Sequence, residues 1–309
     1  MLKLWAGGDL RAAQLAFDWI VTEYPRDLLA LRLQHVNAIF FGRPDVLRTT
    51  VTRALADWDD RVPGAGIVYG MACMGLEEVG EYQRAEMLGK RGVELEPDDL
   101  WAIHSVAHVM EAQGRLKDGI DWMKRPDSYW DGRSPMRHHL WWHEALFMFE
   151  AADYEGAISY FDDRLAPETA RPGYLEMSNC ASLLFRLEVA GQDCGDRWNN
   201  LIERCRHLAE DRALTFSNVH MIIALTMARQ GSALERMAQE ISDYATPGGS
   251  FDRLASARIS VPLAAAMTAR LAGDFQAATD TLLTARFDFH YMGGSIARDS
   301  IRSRNSIST

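Results

Sequence analysis

The chain has 309 residues, 48% of them apolar, and a formal net charge of −10. This charge argues against nucleic-acid binding, which needs clustered lysine and arginine facing phosphates. No run approaches the roughly 18 unbroken apolar residues of a membrane span, and the N-terminus lacks the apolar segment and cleavage site of a secretory signal. The four cysteines have no metal-binding spacing, so we expect free thiols in a reducing cytoplasm.

A small residue recurs along the chain at intervals of about 34 to 42 residues, and helical periodicity dominates between its copies. The recurring positions are Gly8, Gly42, Gly80, Gly114, Ala152, Gly191, Gly231 and Gly273. Such a period indicates helical hairpins stacked one on the next. We predict an all-α fold of about fifteen helices, arranged as a right-handed superhelix of tetratricopeptide-like hairpins. Residues 1–300 should form a single solenoid domain, and residues 301–309 a frayed tail.

The elements follow this period from the start of the chain. Gly8 already lies inside a repeat, so the array lacks an N-terminal capping unit, and self-association to a homo-oligomer is plausible. The clearest hairpin signals surround Gly80, Ala152 and Gly273, where an aromatic residue follows the small one and packs into the junction. Residues 127–135, 166–173 and 246–250 lack periodicity and are predicted to be longer loops.

Histidine pairs occupy two successive first helices in the middle of the chain. His104 and His108 are four residues apart and Glu111 lies three further on, so all three project from one helix face. His139 and His143 repeat this spacing one repeat later. Because such helices pack about 8–10 Å apart, four imidazoles and one carboxylate are within reach of one another.

Aromatic and basic residues flank the histidine pairs. Trp101 and Trp142 can wall a pocket, although an aromatic stripe at helical spacing is also typical of a core. Arg115 can pair with Glu111 or with an anionic ligand, and so can Arg137, unless they are solvated surface residues.

Three interpretations of the histidine pairs remain open. The imidazoles can be buried packing groups that pair with backbone or carboxylate. They can line a small-molecule pocket and transfer protons, because histidine titrates near neutral pH. They can also bind zinc or iron, although a diagnostic motif such as His-Glu-x-x-His is absent. The sequence predicts no cofactor and leaves a metal undetermined.

Residues 97–115, which contain the first histidine pair, resemble the tetratricopeptide repeat protein 38 family. So do residues 139–147 around the second pair, and the segment beginning Gly293-Gly294-Ser295 resembles the family's terminal signature. The resemblance covers nearly the whole chain and implies a helical-repeat fold without a well-defined reaction. The polar residues of this chain that take part in the resemblance are His35, His104, His108, His139, His143, Arg186, His220, His290 and Arg298. Imidazoles and guanidiniums of this kind favour a small polar or anionic ligand over a partner helix.

We therefore predict a central histidine-rich pocket that binds a small polar metabolite, with acid–base chemistry such as elimination, cyclisation or isomerisation. His104 and His108 are the candidates for proton transfer, and Glu111 would orient one of them. His139 and His143 would bind or polarise the substrate.

The sequence also predicts the residues that bind the ligand, and it leaves an alternative function open. The predicted ligand-binding residues are Trp101, Arg115, Trp142, Arg186, His220, His290 and Arg298. The alternative function is a non-catalytic adaptor that binds a peptide or partner protein in its groove. Whether the protein is an enzyme is left open by the sequence.

Overall fold

The computed structural model describes residues 9–130, 136–166, 172–210, 214–246 and 249–294, together with residues 3, 4, 7, 134 and 212. Between residues 9 and 294, the described ranges contain sixteen α-helices and no β-strand. The helices are α1 Leu10–Glu23, α2 Leu28–Phe40, α3 Pro44–Ala54, α4 Ala65–Glu77, α5 Tyr82–Leu95, α6 Leu100–Ala112, α7 Leu116–Met123, α8 Met136–Glu150, α9 Tyr154–Tyr160, α10 Tyr174–Val189, α11 Arg197–Cys205, α12 Thr215–Met227, α13 Gly231–Tyr244, α14 Phe251–Ala255, α15 Val261–Leu271 and α16 Phe275–Ala285.

Two π-helical turns extend these helices. Ser256–Ser260 joins α14 to α15 as one continuous helix, and Phe161–Leu165 prolongs α9. The described part of the chain therefore has fifteen separate helices, which confirms the predicted all-α class and helix number. Helices adjacent in sequence pack in pairs, as expected for tetratricopeptide-like hairpins.

The hairpins turn through one residue in the left-handed conformation. Gly80 and Gly114 adopt it with φ of 79° and 67°, and Ala152 takes the same place with φ of 61°. Asp153 then caps α9 by accepting a hydrogen bond from the backbone N–H of Gly156. These turns explain the recurrence of a small residue, because only glycine adopts positive φ without steric cost.

One repeat position was assigned wrongly from the sequence. The left-handed residue of the α12–α13 turn is Arg229, with φ of 54°, and Gly231 is the first residue of α13. The sequence pattern favoured the nearby glycine, but the length of α12 places the turn two residues earlier. Gly8, residues 295–309 and therefore the predicted tail lie outside the described residues.

The described residues form two compact units, unit 1 up to Leu140 with Gly293 and Gly294, and unit 2 from Trp141 to Met292. The division falls inside α8. A single domain over residues 1–300 stays a prediction. No described helix is both long enough and apolar enough to cross a bilayer.

In unit 1, α4 packs closely against α5 and α6 because glycines remove side chains from the contacts. A Cβ atom on Gly70 would lie 2.8 Å from Cβ of Ala102, and one on Gly89 would lie 2.5 Å from Cγ2 of Val106. The backbones of α4 and α6 therefore approach closely. This approach sets the spacing of the side chains that follow on the two helices, including Glu77 and His108.

In unit 2, α10, α12 and the α14–α15 helix pack on one another and on the second helices of their hairpins. Cys180 donates a hydrogen bond from its thiol to the carbonyl of Leu165 at 3.0 Å. All four cysteines of the chain are buried and free, as the sequence predicted.

Candidate functional site

The first histidine pair lies on α6, in the interior of unit 1. Asp99 begins this helix by accepting a hydrogen bond from the backbone N–H of Trp101. One turn apart on the same face, His104 and His108 are each 2% exposed. Their Nε2 atoms are 2.8 Å apart, and their rings meet edge to face with centroids 4.2 Å apart. The predicted pairing of these imidazoles on one face is thus present in the structure.

A carboxylate from the neighbouring first helix approaches the other side of the pair. Oε2 of Glu77, at the end of α4, lies 3.8 Å from Nδ1 of His108, and Glu77 is buried. Burial, together with the carboxylates of Glu78 and Glu111, raises the pKa of Glu77 well above its usual range. The structure thus places Glu77, His108 and His104 in one buried row.

His139 brings a third imidazole to this row from α8. Its ring centroid lies 4.8 Å from that of His104, and it is 4% exposed. One ring nitrogen from each of His104, His108 and His139 lies within 4.8 Å of the others. We call these three residues the histidine cluster. Its nitrogen atoms, and separately the set of Glu77, Glu78 and His108, are spaced closely enough to hold a metal ion.

Trp101 connects the histidine cluster to polar residues of α2. Its ring lies 4.9 Å from that of His104 and 5.4 Å from that of His35, and the guanidinium of Arg32 lies 4.4 Å above it. Burial and, to a smaller extent, Arg32 lower the pKa of His35 well below its usual value, which keeps this imidazole neutral.

Several polar atoms around Trp101 are buried without a hydrogen-bond partner in the described part of the protein. They are both ring nitrogens of His35, Nη1 of Arg32 and Nε1 of Trp101. The carboxylate of Asp99 is nearby, and its Oδ2 atom is also buried and unbonded. Buried polar groups without partners are costly, so this surface is chemically suited to a polar molecule that supplies them.

Other predicted residues of this region have different surroundings. Glu111 is half-buried, and its charge acts on Glu77. Arg115 lies in the turn after α6 and forms ion pairs with Glu86 and Asp118 at 2.6 and 2.8 Å. Its guanidinium is therefore held by surface carboxylates and not by Glu111. The ligand-binding role of Arg115 and the orienting role of Glu111 stay predictions.

The predicted site residues of unit 2 include several that contact residues of their own helices. His143 and Trp142 are buried neighbours on α8 with ring centroids 4.8 Å apart. Arg186 lies 5.8 Å from the Trp142 ring and donates to the carbonyl of Ser182 at 3.2 Å. His220 donates from Nδ1 to the carbonyl of Phe216 at 2.8 Å. A joint site of His143 with the first histidine pair stays a prediction.

The last two predicted ligand-binding residues lie near the C-terminus. His290 is exposed and donates from Nδ1 to the carbonyl of Phe287 at 3.0 Å, against the ring of Tyr291. Arg298 lies outside the described residues. Their ligand-binding roles stay predictions.

A separate cavity of about 610 Å³ opens on unit 2 between α9 and α11. Its walls include the ion pair between Asp162 and Arg197, with an N–O distance of 2.6 Å. The residues that line it include none of the predicted site residues. Asp162 and Arg197 in its wall already pair with each other, whereas the surface around Trp101 carries buried polar atoms without a hydrogen-bond partner among the described residues.

No protein-family model matches the chain. Among solved structures, it is similar to the C-terminal part of a TPR repeat-containing protein from Cytophaga hutchinsonii, with a TM-score of 0.43 and 11% identity over 90% of this chain and 96% of that one. It is also similar to the APC/C hetero-tetramer Cut9-Hcn1, with a TM-score of 0.45 and 12% identity over 91% of this chain and 54% of that one. The tetratricopeptide-like fold itself is read from the helices and turns of this chain.

Sequence reasoning missed Glu77 and Arg32 as site residues. Glu77 had a usable signal, because it lies one repeat before Glu111 at the corresponding position of its own first helix. Arg32 likewise occupies the position of His104, two repeats earlier. Both signals become visible only when the repeats are aligned by their left-handed turn residues.

Proposed function

We propose that unit 1 binds a small polar molecule beside Trp101 and that the histidine cluster exchanges a proton with it. The observation that carries this proposal is a set of buried polar atoms on Arg32, His35 and Trp101, next to His104, that have no hydrogen-bond partner among the residues the structure describes. A ligand that supplies hydrogen bonds to these atoms removes their desolvation penalty.

The proton-transfer part of the proposal is supported by the row of Glu77, His108 and His104. Hydrogen-bonded imidazoles can pass a proton, and the carboxyl group of Glu77, 3.8 Å from the far nitrogen of His108, is close enough to orient the ring after a small shift. The reaction types considered for such a site are elimination, cyclisation and isomerisation. Membership in the tetratricopeptide repeat protein 38 family is part of the same proposal.

Binding can be tested by calorimetry and thermal shift with a panel of amino acids, carboxylic acids and phosphate esters. At least one compound should stabilise the wild-type protein and lose its effect in Arg32→Met and Trp101→Leu. The matched control is Arg61→Gln, because Arg61 is exposed and pairs with its surface neighbour Asp59. A compound that binds all four proteins equally would contradict the proposed location, and a panel without any binder would contradict the function.

A second candidate function is protein binding, and a specific surface favours it. Leu15 and Trp19 lie one turn apart on α1 and are 65% and 61% exposed. Two large apolar side chains on one exposed helix face are typical of a docking surface.

The partner that can be tested directly is a second copy of the chain. If self-association uses this face, sedimentation should show a dimer for the wild type and a monomer for Trp19→Glu. The control Tyr24→Glu introduces the same charge just beyond the end of α1. A monomeric wild type at all accessible concentrations would contradict self-association.

A further inference from the structure

We infer that the histidine cluster holds a divalent transition-metal ion of the zinc class, ligated by His104, His108 and His139 and oriented by Glu77. This inference rests on the proposed function in one respect, because the ion would supply the base for proton exchange at that site. Metal binding itself does not depend on the polar molecule.

The spacing of the imidazoles fits such an ion. Ligand nitrogens lie about 2.0–2.1 Å from zinc, which separates two of them in a tetrahedral site by about 3.4 Å. The Nε2 atoms of His104 and His108 are 2.8 Å apart, and the three nitrogens of the cluster lie within 4.8 Å of one another. Small rotations of the side chains therefore bring all three to ligand distance.

The second nitrogen of His108 faces a carboxylate, as metal-bound histidines usually require. Oε2 of Glu77 lies 3.8 Å from Nδ1 of His108, while Nε2 of the same ring points to His104. This separation from the carboxylate is beyond hydrogen-bond distance, but a shift of roughly 1 Å would let Nδ1–H donate to the carboxylate and leave the lone pair of Nε2 for the metal. The tight contact between Gly70 and Ala102 keeps the two helices close enough for this arrangement.

The charges around the cluster favour a cation. Glu77 and Glu78 are buried, and one carboxylate oxygen of each lies within 4.8 Å of a ring nitrogen of His108. A divalent ion beside these two carboxyl groups would favour their ionised forms, which a neutral imidazole pair does not.

Burial limits what the cluster itself can accommodate. The three rings are between 2% and 4% exposed, so the polar molecule itself is expected beside Trp101 and not among the rings. Three protein ligands would leave a fourth tetrahedral position for a water molecule, whose pKa the ion would lower toward neutral. Such a water, once it has released its proton to solvent, could take a proton from the polar molecule and so be restored.

The test is metal titration of the full chain after removal of metal with a chelator. We expect one Zn²⁺ per chain by elemental analysis, and a tetrahedral visible spectrum with Co²⁺. His104→Gln, His108→Gln and His139→Gln should each lose this spectrum, and Glu77→Gln should weaken binding about tenfold. The control His207→Gln replaces a half-buried histidine of unit 2 whose ring donates to the carbonyl of Pro172, and it should bind zinc as the wild type does. Circular dichroism establishes that each variant is folded.

If a glutamine variant does not fold, nitrogen NMR of the histidine rings in the wild type gives an independent answer, because zinc should shift the Nε2 signals of bound rings. Substoichiometric binding, or equal affinity of wild type and His108→Gln, would overturn the inference. The polar-molecule panel is measured on metal-free protein as well. Ligand binding without metal binding overturns only this inference, and stoichiometric zinc without any ligand overturns only the proposed function.

Discussion

The two units bury polar side chains on equivalent first helices, but they satisfy them differently. In unit 2, His220 and Arg186 bond to carbonyls four residues earlier on their own helices. In unit 1, His104 and His108 turn toward each other and toward Glu77 of another helix. Bonds to the backbone of the same helix hold the positions of the side chains in unit 2. In unit 1, three helices (α4, α6 and α8) bring Glu77 and the histidine cluster together, which is the arrangement that a binding site requires.

The two units also differ in the residues at their hairpin turns. In unit 1 the left-handed positions before α3, α5 and α7 are glycines, whereas unit 2 places Ala152 and Arg229 at two of them. A residue with a side chain is strained in this conformation. At these described positions, unit 1 therefore has the less strained turns.

The largest expected effect tests the close packing of unit 1. Gly70→Val should lower the free energy of unfolding by about 3 kcal/mol, because the new side chain meets the backbone of Ala102. It should also weaken zinc binding, since α4 and α6 separate. The control Gly231→Val, at a helix start with no atom within 4 Å of the new Cβ, should change stability by less than about 0.5 kcal/mol. Equal urea midpoints for the two variants would contradict the packing argument.

The next effect tests whether the polar groups of unit 2 are structural. Arg186→Met should destabilise the protein by about 2 kcal/mol, because a buried guanidinium hydrogen bond to Ser182 is lost. Zinc affinity should be unchanged, which calorimetry can measure on the folded variant. A loss of zinc binding in Arg186→Met would show that the distinction between the units is wrong.

A smaller effect concerns pH and His35. The pKa of this imidazole is lowered by burial, so the unfolded chain binds a proton that the folded protein does not. Stability from this residue is therefore lost as pH falls below the unfolded value near 6.5, by about 1.4 kcal/mol per pH unit. Urea unfolding between pH 7 and 5 should be less pH-dependent in His35→Phe than in wild type.

The control for this measurement is Gln34→Leu, which changes a buried residue of the same helix without a titratable group and should keep the wild-type pH dependence. An unchanged slope in His35→Phe would mean that His35 is protonated in the folded protein. The buried polar surface beside Trp101 would then carry more positive charge than proposed.

The smallest effect tests the turns. Ala152→Gly and Arg229→Gly should each stabilise the protein by about 1 kcal/mol, because both residues have positive φ. Gly114→Ala in unit 1 should destabilise it by a similar amount for the same reason. Differential scanning calorimetry of the three variants measures these changes. Destabilisation by Arg229→Gly would mean that the side chain of Arg229 contributes more than its backbone costs.

Much of the site could be predicted because it lies within single helices. The spacing of His104 and His108 places both on one face whatever surrounds the helix. Glu77 could not be assigned in the same way, because its distance to His108 depends on how closely α4 and α6 pack. Arg115 was expected near Glu111, but Glu86 of α5 engages it instead. Contacts between helices depend on side chains far apart in sequence, and local periodicity carries no information about them.

By itself, the sequence determined that this protein is a series of helical hairpins with a histidine pair on α6, since helix periodicity and turn glycines are local properties. The tertiary structure alone decided which groups meet those histidines. A glycine-mediated approach of α4 to α6 brings Glu77 to His108, and the packing of Trp101 between Arg32, His35 and His104 assembles the polar surface. Burial then gives these groups their altered chemistry, because desolvation acts only in the folded chain.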